Sequence, residues 1–210
     1  ISSPSEIEQA LMLGLEVVKF FPAEASGGLA KIKAMAAPYT AMKFMPTGGI
    51  NEKNLLAYLD FPKILACGGS WMVSDKLINA GEFDKIREMT EAAVNMMLGF
   101  ELAHIGINAS SETEAGGIAD AFCNVFGFEK KDGNSSIFAG SGVEVMKQPY
   151  LGAKGHIAIR TNYIERAIWH LEQRGMVFDE DTAKYDKKGV LKASYSKDEI
   201  GGFAVHLVQK

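Results

Sequence analysis

A lysine near the end of an apolar run, and two glycine pairs downstream of it, are the residues of this 210-residue chain whose types and spacing can do chemistry. Lys19 stands in Leu15-Glu16-Val17-Val18-Lys19-Phe20-Phe21-Pro22. Valine and phenylalanine neighbours withdraw water from an amine, which favours its neutral form and makes it available to attack a carbonyl. That is Schiff-base chemistry; the ordinary alternative is a lysine whose methylenes lie on apolar surface while its charge stays in water. Thr47-Gly48-Gly49-Ile50 and Gly68-Gly69-Ser70-Trp71 follow two further apolar runs. Such loops turn backbone N–H groups towards an anion at a helix N-terminus, and a phosphate fits there. A plain turn is the alternative for either pair alone.

Alternating elements must position these groups. Ser3 as N-cap, Pro4 at the first position and Glu6 reaching back in a capping box predict a helix to about Leu13, ended by Gly14. The Lys19 strand, a turn at Gly27 and Gly28 and a helix over Leu29 to Ala36 follow. Next come a strand over Ala41 to Pro46, a helix over Glu52 to Leu59, a strand over Lys63 to Cys67 and a long helix over Phe83 to Met97. This order specifies a parallel sheet with covered faces, with Lys19 and both glycine loops on the end where (β/α)8 barrels carry their active sites.

Composition narrows the function. Hydrophobic residues make up 47% and charged residues 23%, values of ordinary globular domains. A net charge of -4 without a basic run gives no footprint for nucleic acid. Cys67 and Cys123 lie singly in apolar stretches, so a reducing compartment and a cytoplasmic location are expected, with no metal-type cysteine cluster and no membrane partner. The first residue is Ile1, not Met, so the chain is expected to begin inside a longer polypeptide.

Val18-Lys19-Phe20-Phe21-Pro22-Ala23-Glu24, Phe44-Met45-Pro46-Thr47-Gly48-Gly49-Ile50 and Gly68-Gly69-Ser70-Trp71, in that order, resemble the bacterial 2-keto-3-deoxy-6-phosphogluconate/4-hydroxy-2-oxoglutarate class I aldolases. The resemblance covers roughly residues 1 to 97. It implies the last three strand-helix units of a (β/α)8 barrel, a partial α/β barrel placed at residues 1–98. It further implies that Lys19 forms the imine with pyruvate and that Phe21 and Pro22 line the pocket. Thr47 would bind the carboxylate, and Gly48, Gly49, Gly69 and Ser70 the phosphate end of a keto-acid or phosphosugar substrate. No cofactor is needed for that chemistry, and the parent enzyme is expected to be a homotrimer. The family's acid/base glutamate and carboxylate-binding arginine have no match here; Glu16 and Glu24 do not fit their motif. A chain lacking five barrel strands is expected to be inactive as an aldolase.

Residues 99–210 read differently. His104-Ile105-Gly106-Ile107 and His156-Ile157-Ala158-Ile159 open two similar segments. Each continues into a helix, Ile118 to Phe126 or Tyr163 to Arg174, then a glycine and alternating strands, so each reads βαβββ in an α+β domain. The layout resembles the vicinal oxygen chelate superfamily, which includes glyoxalase I and extradiol dioxygenases. By that resemblance His104, Glu144, His156 and His206 stand at the positions that bind a divalent metal, although a carboxylate is usual where His206 stands. The second reading of the chain is therefore a metal-dependent glyoxalase- or dioxygenase-like enzyme. A module that binds a small metabolite without catalysis, or that stabilises an oligomer, stays open beside it.

Overall fold

The computed structural model describes residues 1–210, which fold as two compact units, Ile1–Met97 and Leu98–Lys210. The first unit runs α1 (Pro4–Met12), β1 (Val17–Phe20), α2 (Gly28–Ala36), β2 (Lys43–Pro46), α3 (Leu55–Leu59), α4 (Asp75–Asn79) and α5 (Phe83–Leu98), the last helix crossing the unit boundary. Pro4 opens α1 as its sequence requires. The capping box closes through Glu6 alone: its carboxylate accepts the Ser2 N–H at 2.8 Å and the Ser3 hydroxyl at 2.7 Å, while Ser3 makes no side-chain cap bond.

β1 and β2 pair in parallel, with Val17 opposite Lys43 and Lys19 opposite Met45. The predicted strand Lys63 to Cys67 does not form as a regular strand. It meets β2 through parallel bridges at Phe44–Ile64 and Thr47–Gly68, so three segments still lie side by side. Alternation sends Val18, Phe20, Phe44 and Ile64 into a core with Ile7, Ile32, Met35, Leu55 and Tyr58. The other face is not covered, contrary to the sequence expectation: Val17, Met45 and Leu65 are 38%, 36% and 48% exposed. The buried helix residues of this unit belong to α1, α2 and α3, whereas α4 buries none and α5 only Leu98.

The second unit runs β3 (Glu101–Asn108), α6 (Glu112–Phe126), β4 (Lys130–Asp132), β5 (Ser136–Ala139), β6 (Val143–Met146), β7 (His156–Thr161), α7 (Ile164–Glu172), β8 (Phe178–Tyr185), β9 (Leu191–Ser196) and β10 (Ala204–Gln209). Strand, helix and three strands thus occur twice. All eight strands join one sheet in the order β4-β5-β6-β3-β7-β10-β9-β8. Within each half the first and last strands are parallel, β3 with β6 and β7 with β10, and the halves meet through antiparallel β3 and β7.

α6 starts at Glu112, six residues before the expected Ile118. Ser111 accepts the Glu114 N–H at 3.2 Å and Glu114 reaches back to the Ser110 N–H at 2.7 Å. This capping box holds the first turn despite Gly116 and Gly117, whose low propensity hid the start. Ala115 and Ala119 of α6 pack on Ile137 and Val145, with Ile107 against them. Neighbouring residues Gly106 and Glu144 therefore face the opposite side of the sheet, away from α6.

Candidate functional sites

In the first unit Lys19, Met45 and Thr47 share the uncovered face. Lys19 is exposed, not desolvated as its neighbours imply, because Val18 and Phe20 point to the opposite face. Its Nζ lies 5.3 Å from the centroid of the Phe21 ring. Phe21 and Pro22 pack on Gly48: a Cβ there would sit 3.2 Å from the ring and from Pro22 Cα. Thr47 takes the place after β2, its N–H bonded to the Phe20 carbonyl at 2.9 Å. Its hydroxyl is buried and has no hydrogen-bond partner, pressed against Gly68, where a Cβ would approach it to 2.6 Å. A buried hydroxyl left without a partner costs stability.

The glycine loops differ from expectation in their relation to helices. Gly48 and Gly49 adopt φ +96° and +85°, which only glycine takes freely, but α3 begins at Leu55, after a turn bonded through Asn51 and Asn54. Gly69, whose absent Cβ makes room for the Trp71 ring, and exposed Ser70 precede α4, which Ser74 caps through the Leu77 N–H. Both helices have five residues, so anion binding at their N-termini is not supported by a helix dipole. Glu24 is a residue the sequence left without a role: its carboxylate accepts the Tyr58 hydroxyl, and its N–H bonds the Gly48 carbonyl.

In the second unit four strands converge on one cluster. His104 Nε2, His156 Nε2 and Glu144 Oε2 stand 3.0, 3.1 and 3.2 Å apart pairwise, and the His206 ring lies 5.2 Å from that of His156 and 5.5 Å from that of His104. One ring nitrogen from each histidine falls within 4.8 Å of the others. Strand register explains the convergence. Gly106 lies between Glu144 on β6 and His156 on β7, and Ala158 lies between His104 on β3 and His206 on β10. Each small residue leaves its row open; a Cβ on Gly106 would meet the His156 ring at 1.9 Å.

Residues not singled out in the sequence complete the cluster. Ser136 donates to the other Glu144 oxygen at 2.5 Å, Phe138 sets its ring edge-on to His104, and Tyr195 stacks flat on His206. Burial pushes the Glu144 carboxyl up, but hydrogen bonds from His104, His156 and Ser136 outweigh it and hold the group well below the usual carboxylate range. Burial, with His156 and His104 adding to it, lowers His206 to about 3, so its imidazole is neutral with a lone pair free. His156 Nδ1 and both ring nitrogens of His206 are buried without a partner.

Residues 1–89 match the family model described as KDPG and KHG aldolase. The 2-dehydro-3-deoxy-phosphogluconate aldolase of Treponema pallidum is 50% identical over 97 residues, 46% of this chain and 46% of the relative. The KHG/KDPG aldolase of Escherichia coli K12 is 42% identical over 94 residues, 45% of this chain and 44% of the relative. The chain thus spans less than half the length of these curated relatives. Among solved structures, KDPG aldolase from Legionella pneumophila, with pyruvate captured as a covalent carbinolamine, is 40% identical with a TM-score of 0.43. It covers 44% of this chain and 45% of its own. Methylmalonyl-CoA epimerase from Mycobacterium tuberculosis is 12% identical with a TM-score of 0.38, over 54% of this chain and 89% of its own.

Proposed function

We propose that residues 1–97 are the imine-forming part of a class I aldolase, a lyase acting on 2-keto-3-deoxy-6-phosphogluconate or 4-hydroxy-2-oxoglutarate. The observation that carries this reading is Lys19 sharing one sheet face with Thr47, whose hydroxyl has no partner, on a segment up to half identical to aldolases of that name. The Lys19 amine attacks the C2 carbonyl of a keto acid and, with loss of water, gives an imine. Thr47 donates its hydroxyl to the carboxylate beside that carbon. Phe21 and Pro22 wall the carbonyl end, while Gly48, Gly49, Gly69 and Ser70 offer donors to a phosphate. Cleavage then needs a carboxylate to move protons at the reacting carbons. Neither Glu16 nor Glu24 matches the acid/base position of that family, so this chain is expected to trap pyruvate but not to turn over the aldol at an enzymatic rate.

Borohydride reduction in the presence of pyruvate, followed by peptide mapping, tests the assignment. A reduced adduct on Lys19 supports it; an unlabelled Lys19 with the chain folded overturns it.

A second reading rests on the rear cluster. We infer a divalent metal site formed by His104, Glu144, His156 and His206. Ligand atoms about 2.1 Å from one ion stand about 3.0 Å apart at right angles and about 3.4 Å apart at the tetrahedral angle. The spacing of His104, His156 and Glu144 fits that range without rearrangement, and His206 brings unpartnered nitrogens. Three imidazoles and one carboxylate suit Fe(II), Mn(II), Zn(II) or Ni(II). Such an ion supplies a Lewis acid; the chain contributes Glu144 as the one anionic ligand, Ser136 to hold it, and a wall of Phe138 and Tyr195. Metal analysis of the wild type against His104→Ala and His156→Ala tests this, and equal content in all three would sink it.

A further inference from the structure

We propose that Tyr195 is the positioning residue for His206, its ring doing by stacking what a hydrogen bond does for other metal-binding imidazoles. The proposal rests on the metal reading of the rear cluster. A ligating histidine is ordinarily fixed by donating its second ring N–H to a carboxylate, a carbonyl or water, which sets both tautomer and ring plane. His206 has no such partner at either nitrogen. Its ring plane is set elsewhere.

Tyr195 of β9 and His206 of β10 are direct cross-strand partners, so their side chains leave the sheet side by side. The rings lie 4.3 Å apart at 7°, nearly parallel, and this is the closest ring contact in the cluster. Tyr195 is itself held from two sides. Its N–H donates to Thr182 Oγ1 at 3.0 Å, and that hydroxyl donates to the Asp179 carbonyl at 2.6 Å. The Tyr150 ring sets its edge against Tyr195 at 5.8 Å and 73°. Tyr150 is fixed in turn by Asn108, which donates to the Tyr150 and Gly152 carbonyls and accepts the Tyr150 N–H. A chain of packed contacts from Asn108 through Tyr150 and Tyr195 therefore reaches His206, and the histidine's rotation is restricted by a flat aromatic surface.

Cobalt(II) titration of the full chain, followed by the visible ligand-field spectrum, tests the assignment with circular dichroism as the control for folding. Tyr195→Phe keeps the stacking face and is expected to bind within about threefold of the wild type with an unchanged spectrum. Tyr195→Leu removes the face and is expected to lose about 10- to 100-fold in affinity, the range for losing a ligand's orienting partner, with a shifted spectrum. A folded Tyr195→Leu that matches the wild type in both readouts overturns the proposal. So does a Tyr195→Phe that falls as far as Tyr195→Leu, since the hydroxyl would then be the group that matters. Should Tyr195→Leu not fold, Tyr150→Ala decides, with a weakened and shifted site expected and an unchanged one contradicting. A wild type that takes up no cobalt overturns the metal reading itself, whereas normal uptake by wild type and Tyr195→Leu alike overturns only the role of Tyr195.

Discussion

The ring of His156 occupies the space that a side chain on Gly106 would fill, with Cε1 at 1.9 Å from where a Cβ would stand. That vacancy lets an imidazole on β7 reach across β3 to a carboxylate on β6, two strands away.

Gly106→Ala is accordingly expected to push His156 out of the cluster. Gly106 has no left-handed backbone angle to lose, so the effect is steric. Overpacking of this kind costs about 1–3 kcal/mol, and metal affinity should fall by more than about tenfold. Calorimetric metal titration beside urea unfolding measures both.

Replacing Glu144 by Gln removes the anion on which His104, His156 and Ser136 converge. Loss of charge-assisted bonds in a half-buried setting is expected to cost about 1–3 kcal/mol in the metal-free protein and to abolish divalent metal uptake. A variant as stable as the wild type that still binds metal would show that Glu144 is not a ligand.

Thr47→Val tests the front site by an opposite pattern. The Thr47 hydroxyl is buried with nothing to bond, so an isosteric apolar replacement should leave stability unchanged or improve it. The pyruvate concentration needed for half-maximal borohydride trapping at Lys19 should rise about tenfold, the equivalent of one hydrogen bond to a charged group. Destabilisation with unchanged trapping would contradict this.

Glu6 predicts a pH dependence. The Ser2 N–H and the Ser3 hydroxyl lower its carboxyl from 4.5 to about 2. A folded-state value below the unfolded one means a contribution present in full above about 4.5 and lost as pH falls towards 2. The α1 amides should therefore exchange faster in Glu6→Gln than in the wild type at pH 6, with the difference shrinking by pH 3. A constant difference would count against the linkage.

How far the sequence reaches differs between the two units. Motif order named Lys19, Thr47 and the glycine pairs, and periodicity found most helices and strands, because local propensity and turn residues act within a few positions. It misjudged the solvation of Lys19, which depends on what covers a whole sheet face and not on the neighbours Val18 and Phe20. The repeated pattern of a histidine followed two residues later by a small one, His104 with Gly106 and His156 with Ala158, was in the sequence all along. Its meaning was not, since Gly106 and Ala158 matter only once strand register puts them between the three histidines and Glu144.

Residue identity by itself determined which groups could attack a carbonyl or bind a metal, and the alternation that assigns each to a face. Only the tertiary structure decided that β3, β6, β7 and β10 would be neighbours, that His206 would lie flat against Tyr195, and that Thr47 would hold a hydroxyl without a partner. These follow from pairings between segments up to about 60 residues apart, as Glu101 on β3 with Arg160 on β7. Their register is selected by packing across the whole sheet, and no local stretch of chain encodes it.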